Sequence, residues 1–200
     1  MEEPRVVAVC GEIGSGKSTV AAHLQDHYCI EPISIADPMK AICRQVFDLA
    51  LRHTHSSQED KLEPLDHVRG PAGERRTPRE ILQWVGTEGF RTLDPDVWIK
   101  MAVRQAEQHL ENGFGVCFTD TRFENEFEAV RRLGGVIWLV ETIGNTNADD
   151  GIAGHASEAE WRATHKDAIL LARAGDLEGL RREVDEAMAV GGRRHQGILR

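Results

Sequence analysis

The stretch Gly11-Glu12-Ile13-Gly14-Ser15-Gly16-Lys17-Ser18, followed by Thr19, has the spacing G-x-x-x-x-G-K-[ST] of a P-loop. Few short patterns restrict a fold as much, because this one needs a strand before it and a helix after it. Val6-Val7-Ala8-Val9-Cys10 is a continuous apolar run, which predicts a strand buried in a parallel sheet. Thr19 to Gln25 predicts a helix, with Val20, Ala21 and Leu24 on one face. Gly11, Gly14 and Gly16 accept positive φ, so the chain can wrap an anion with its N–H groups turned inward. The helix adds the positive end of its dipole. Lys17 is expected to reach the β- and γ-phosphates of a nucleotide, and the Ser18 hydroxyl to hold Mg2+. The chain has five lysines and nineteen arginines, so composition does not dictate a lysine here.

Two hundred residues suit one domain with a small inserted region, and 40% hydrophobic residues suffice for a core. A net charge of −9 argues against a protein that coats nucleic acid by electrostatics. Cys10, Cys29, Cys43 and Cys117 show no C-x-x-C spacing and read as reduced packing residues of a cytoplasmic protein. No apolar run reaches the length of a membrane span, and the N-terminus carries no secretory signal.

Further along, Ile33 to Ala36 predicts a second strand, ending at Asp37. A helix from Pro38 to about Leu51 follows, with Met39, Ile42, Val46 and Leu49 as its stripe. Asp37 reads as the N-cap of that helix, as an acid at the ligand edge of the sheet, or as both. Residues 53–76 predict an irregular loop. His53, His55 and His67 lie in it without the partner acids a metal site needs, and Arg75 and Arg76 fit either a phosphate or plain surface charge. Thr77-Pro78-Arg79-Glu80 is a capped helix start. Gln83 and Trp84 fit a base pocket, although spacing favours Trp84 as core. Gly86 and Gly89 cost that helix about 2 kcal/mol relative to alanine, which implies a close approach there. Arg91 falls about three turns beyond Arg79.

A helix from Asp94-Pro95 to about Asn112 and a strand from Val116 to Thr119 come next. The strand ends in Asp120, which resembles a Walker B acid binding Mg2+ directly or through water. Arg122 shares that edge, and its planar fork suits a phosphate. A helix over 124–133, a strand over 136–140, a lid-like stretch at 144–166, a strand over 168–171 and a helix over 177–188 complete the pattern. Arg131 and Arg132 read as structural cations at a helix end. The expected fold class is therefore α/β: a P-loop NTP hydrolase fold with a parallel five-stranded sheet, helices on both faces and a helical insertion at about 53–113.

Several stretches occur together in one order: the loop, Ala36-Asp37-Pro38-Met39-Lys40, Thr77 through Glu88 with Leu82-Gln83-Trp84-Val85-Gly86-Thr87, Asp94-Pro95-Asp96-Val97-Trp98, Thr119-Asp120-Thr121-Arg122-Phe123, and His155-Ala156-Ser157-Glu158. Over nearly the whole chain this series resembles the bacteriophage deoxynucleoside monophosphate kinases. The resemblance implies a nucleoside monophosphate kinase-like fold and transfer of the γ-phosphoryl of ATP, with Mg2+, to a dNMP, in the host cytoplasm if the gene is a phage's. It implies a nucleotide-binding set of Gly11, Gly14, Ser15, Gly16, Lys17, Ser18 and Thr19. Lys17, Asp37, Asp120 and Arg122 would be catalytic, and Ser18 and Asp120 would hold the metal. Asp37, Lys40, Arg79, Gln83, Trp84, Arg91, Arg122 and Glu158 would bind the acceptor. The partner is a small molecule, with neither a nucleic-acid polymer nor a membrane, and a homodimer is left open. The chain departs from the family at Leu171 to Leu177, which lacks the family's Asn-Gly pair and leaves the adenine contacts undefined. Rival readings are another P-loop small-molecule kinase, of the animal phosphomevalonate or dephospho-coenzyme A type, and a nucleotide-binding module without an acceptor. No Asn-Lys-x-Asp motif marks a GTPase.

Overall fold

The computed structural model describes residues 3–55, 58–144, 162 and 164–191. In chain order the elements are β1 (Val6–Cys10), α1 (Lys17–Tyr28), β2 (Ile30–Ile33), α2 (Asp37–Val46), α3 (Leu51–His55), α4 (Gln58–Leu62), α5 (Pro78–Gln83), a π-helical turn (Trp84–Gly89), α6 (Phe90–Leu93), α7 (Val97–Glu111), β3 (Gly115–Phe118), α8 (Glu124–Arg132), β4 (Val136–Ile143), β5 (Ala168–Arg173) and α9 (Leu177–Gly191). They form two compact units, one of Met1–Ile35 with Ala102–Arg200 and one of Ala36–Met101.

The first unit holds a five-stranded, all-parallel sheet in the order β2-β3-β1-β4-β5. β1 lies at its centre and all five of its residues are buried, as its unbroken apolar run requires. Val7 and Val9 face one way, joined by Trp138, Val140 and Leu170, and meet Val20 and Leu24 of α1 and Leu180, Val184 and Met188 of α9. Val6 faces the other way, toward Val130 of α8 across Gly135. Helices thus cover both faces, and with the glycine loop after β1 this is a P-loop α/β fold of the nucleoside monophosphate kinase type.

Two strand and helix limits differ from expectation. The second strand is Ile30–Ile33, not 33–36, and pairs with β3 from Gly115 to Phe118. Pro32 hid it from a pattern reading, yet β2 is an edge strand, where a missing N–H is tolerated. α2 stops at Val46, which is 66% exposed, and Asp48 then takes φ 51. That left-handed residue ends the helix, so Leu49 is buried from outside it.

In the second unit the stretch 53–76 carries more order than a loop. α3 and α4 fall at its start, and an antiparallel bridge joins Arg69 to Arg75. His53 is buried, and its Nδ1 accepts the Ala50 N–H at 3.1 Å. Among the described residues no cluster of three His, Cys, Asp or Glu could hold a metal ion. Thr77 caps α5 as a capping box: its Oγ1 accepts the Glu80 N–H at 3.2 Å and the Glu80 carboxylate accepts the Thr77 N–H at 2.8 Å. Hydrogen bonding from the Thr77 backbone holds the Glu80 carboxyl below its ordinary range. Beyond α5 the ladder widens into the π turn, and the buried Trp98 donates its Nε1–H to the Gly86 carbonyl at 2.9 Å. Wide turns of this kind leave carbonyls in need of such partners and concentrate at functional sites.

Candidate nucleotide site

The loop between β1 and α1 is built around backbone that only glycine adopts readily. Gly11, Gly14 and Gly16 have φ of 141°, 78° and 94°. A β-carbon on Gly11 would lie 2.3 Å from the Val140 carbonyl oxygen, so the loop sits directly on β4. The Thr142 hydroxyl, near the carboxyl end of β4, donates to the Ser15 carbonyl at 2.9 Å and ties the loop there. The Lys17 ammonium donates to the carbonyls of Gly11 at 2.8 Å and Glu12 at 2.6 Å, and lies 3.5 Å from Ser15 Oγ. Gly16 is the N-cap of α1, and the exposed Ser18 hydroxyl stands in its first turn. Arg162 pairs with the loop's Glu12 at 3.0 Å.

Asp120 follows β3 at the carboxyl edge of the sheet. Its two carboxylate oxygens accept the Ser34 hydroxyl at 2.8 Å and the Ile35 N–H at 2.7 Å. The carboxylate therefore fastens the end of β2 to that of β3. Lys17, Asp120 and Arg122 line one cavity of about 10 Å³, together with Gly11, Ile13 and Thr121. Cys10 also borders it. Burial pushes its thiol up to about 11 against the opposing charges of Lys166 and Lys17, so it stays protonated at neutral pH and is no nucleophile. Just beyond the cavity, the buried Glu126 carboxylate accepts the N–H groups of Arg122 (2.8 Å) and Phe123 (3.2 Å) and fixes the start of α8.

A second, larger hollow of about 220 Å³ lies on the other flank of the loop. Gly14, Ser15 and Gly16 form one wall, and Arg173, Gly175 and Asp176 form the opposite one. The segment that departs from the family pattern is therefore the one that faces the loop. Sequence reasoning missed Thr142 and Thr121, while the resemblance had already marked Leu171 to Leu177, which contains this wall, as the place of the undefined adenine contacts. Nothing in the pattern marked the two threonines.

The remaining candidates belong to the second unit. Ala36, not Asp37, is the N-cap of α2, so the capping alternative for Asp37 fails. Asp37 is the first helical residue, exposed, with its carboxylate 2.9 Å from the Lys40 ammonium and 3.9 Å from His55 Nε2. Arg79, Gln83 and Arg91 are half-buried, and Arg91 donates to the Pro95 carbonyl at 3.2 Å. The expectation that Trp84 belongs to the core is overturned, since Trp84 is 54% exposed. Trp84 is the C-cap of α5, and the π turn runs on from it to Gly89. The same turn separates Arg79 from Arg91, so counting turns does not put them on one face. Glu158 and most of the lid-like stretch lie outside the described residues.

Mg2+ takes oxygen donors and keeps much of its water. The Ser18 hydroxyl and the Asp120 carboxylate supply donors of that kind. The residues present fit the ion.

No family model matches the chain. The chain is 28% identical over 183 residues to a protein of Acanthamoeba polyphaga mimivirus named "Putative deoxynucleotide monophosphate kinase", covering 86% of this chain and 90% of that one. Among solved structures, an unliganded sugar kinase from Janibacter sp. HTCC2649 overlaps it with a TM-score of 0.49 at 13% identity, over 92% of this chain and 94% of that one. A dephospho-CoA kinase from Campylobacter jejuni overlaps it at 0.46 and 15%, over 92% and 95%. The fold assignment rests on the strand order and the loop rather than on these overlaps. With the loop geometry, the similarity to the mimivirus protein over most of both chains supports a P-loop kinase.

Proposed function

We propose that the protein transfers the γ-phosphoryl group of ATP to the 5′-phosphate of a deoxynucleoside monophosphate. The gathering of Lys17, Asp120 and Arg122 around one cavity at the front of the glycine loop carries this reading. A phosphoryl transfer of this kind is driven mainly by position and positive charge. The loop N–H groups from Gly14 to Thr19 hold the phosphate chain, and Lys17 exchanges its loop carbonyls for phosphate oxygens. Ser18 and Asp120 hold Mg2+, which supplies charge neutralisation along that chain when bound. The hollow between Gly14–Gly16 and Arg173–Asp176 receives the nucleobase of ATP, read by backbone groups rather than by an Asn-Gly pair.

In the second unit, within the inserted region at about 53–113 and the adjoining Asp37–Lys40 turn, Arg79 and Arg91 bind the acceptor's phosphate. Asp37 orients it and Lys40 supports it. The exposed indole of Trp84 stacks on the base, and Gln83 reads its edge. The acceptor phosphate is already ionised near pH 7 and needs little general-base help. The name of the mimivirus relative supports a deoxynucleotide as acceptor.

The test is an ADP-release assay with Mg2+ and ATP over the four dNMPs, with phosphomevalonate and dephospho-coenzyme A as controls. Turnover with at least one dNMP and neither control is expected. Turnover with a control alone moves the protein to another P-loop kinase class. In the same assay Lys17→Ala, folded by circular dichroism, should lose most of the rate.

A further inference from the structure

We propose that Thr121 is a ligand-facing residue of the loop site. Its hydroxyl donates a hydrogen bond to an oxygen of the terminal phosphoryl group of the bound triphosphate. The inference rests on the nucleotide reading above and adds a residue to it.

Thr121 is 1% exposed, and its Oγ1 has no hydrogen-bond partner among the described residues. Buried hydroxyls are nearly always paired, because one that gives up water and gains nothing is destabilising. The carboxylate of the neighbouring Asp120 accepts from Ser34 and Ile35. Thr121 also lines the cavity shared with Lys17 and Arg122. At about 10 Å³ that cavity meets the size one oxygen atom needs.

The cavity walls decide which oxygen fits. Lys17 and Arg122 are donors that carry positive charge and call for an anionic acceptor. The hydroxyl of Thr121 serves such an oxygen as a third donor. Gly11 and Ile13 belong to the front half of the loop, whereas Gly16 and Ser18, at the first turn of α1, do not border the cavity. Lys17 reaches the β- and γ-phosphates of a P-loop nucleotide, and the cavity, away from the first turn of α1, is assigned to the γ end. A diphosphate therefore leaves Thr121 untouched, and a triphosphate reaches it.

Two substitutions separate this role from a structural one. Thr121→Val replaces the hydroxyl by a methyl group, and Thr121→Ser keeps the hydroxyl. Calorimetric titration with Mg2+ and a non-hydrolysable ATP analogue should show Thr121→Val weakened about tenfold or more, the loss of one hydrogen bond to a charged group. Its affinity for ADP should match wild type, and Thr121→Ser should bind both nucleotides as wild type does. Without nucleotide, Thr121→Val should melt no lower than wild type, and up to about 2–4 °C higher, because an unpaired buried hydroxyl has been removed. Equal analogue binding by Thr121→Val and wild type overturns the inference while leaving the nucleotide site intact. A lowered melting temperature with parallel losses for ADP and the analogue also overturns it, by assigning the hydroxyl a structural role. Wild type that binds no analogue overturns the nucleotide reading itself.

Discussion

Gly11→Ala should damage the loop by an amount that the backbone geometry sets. The new β-carbon would lie 2.3 Å from the Val140 carbonyl oxygen, at a φ of 141° that L side chains rarely adopt. Val140 cannot yield easily, because β4 is paired with β1 on one side and β5 on the other. Backbone strain of this kind costs about 1–3 kcal/mol. Forcing extra volume into a packed site costs about 1–3 kcal/mol more. In a chain of this size each kcal/mol lowers the melting temperature by about 2–4 °C, so Gly11→Ala should melt roughly 5–20 °C below wild type. Gly113→Ala is the matched control. Its φ is 90°, but nothing lies within 4 Å of the added carbon, so only the strain of a left-handed residue remains, about 1–2 kcal/mol. Thermal melts followed by circular dichroism compare the two. If Gly11→Ala melts no lower than Gly113→Ala, the loop does not rest on β4 as described.

Other predictions concern packing and protonation. Burial, and then the charge of Arg52, holds the His53 ring below its ordinary value of 6.5. A folded-state value below the unfolded one stabilises the protein above about pH 6.5, and this contribution is lost as pH falls through the folded value. Melting temperature should therefore drop on acidification, less so in His53→Asn, which keeps an acceptor for the Ala50 N–H. A ring that titrates by NMR at or above 6.5 refutes this. Asp167 Oδ2 accepts both Arg131 at 2.6 Å and the Ile137 N–H at 2.7 Å, so Asp167→Ala should cost about 1–3 kcal/mol in urea unfolding. An unchanged midpoint would show that the pair is ornamental. Cys29 is exposed, while Cys10, Cys43 and Cys117 are buried with thiols raised to about 11, 11 and 12. A thiol-reactive dye should thus count one fast thiol in the folded protein and four after denaturation.

Much of this architecture can be read from local pattern. β1, the loop and α1 follow from an apolar run, spaced glycines and a helical stripe, and the Thr77 cap follows from its capping-box residues. Strand order is a different matter. The central place of β1, between β3 and β4, depends on pairings between residues more than a hundred positions apart, such as Val7 with Cys117 and Val136. The errors share a cause, which is that a periodic count assumes regular backbone. Pro32 interrupts the apolar signal of β2 without interrupting the strand. The π turn that starts at Trp84 shifts the register of the residues that follow it, and Trp84 itself is exposed while Trp98, on α7, is buried. Two glycines in a helix signalled that something irregular occurs there, but not which way it turns the chain. In the candidate site, Lys17 and Asp120 were marked as candidates, the first by motif spacing and the second by the strand end it closes. Thr142 and Thr121 were not, since nothing local separates a threonine that ties a loop, or one left unpaired, from any other near a strand end.

The central claim is that the phosphoryl group held at the glycine loop passes to a deoxynucleotide's own phosphate. Incubation with γ-labelled ATP, Mg2+ and each dNMP, followed by separation of the products, tests it directly. The label should appear in a deoxynucleoside diphosphate, and Lys17→Ala should abolish its appearance. Label released only as inorganic phosphate, or retained in ATP with all four acceptors, would contradict the account.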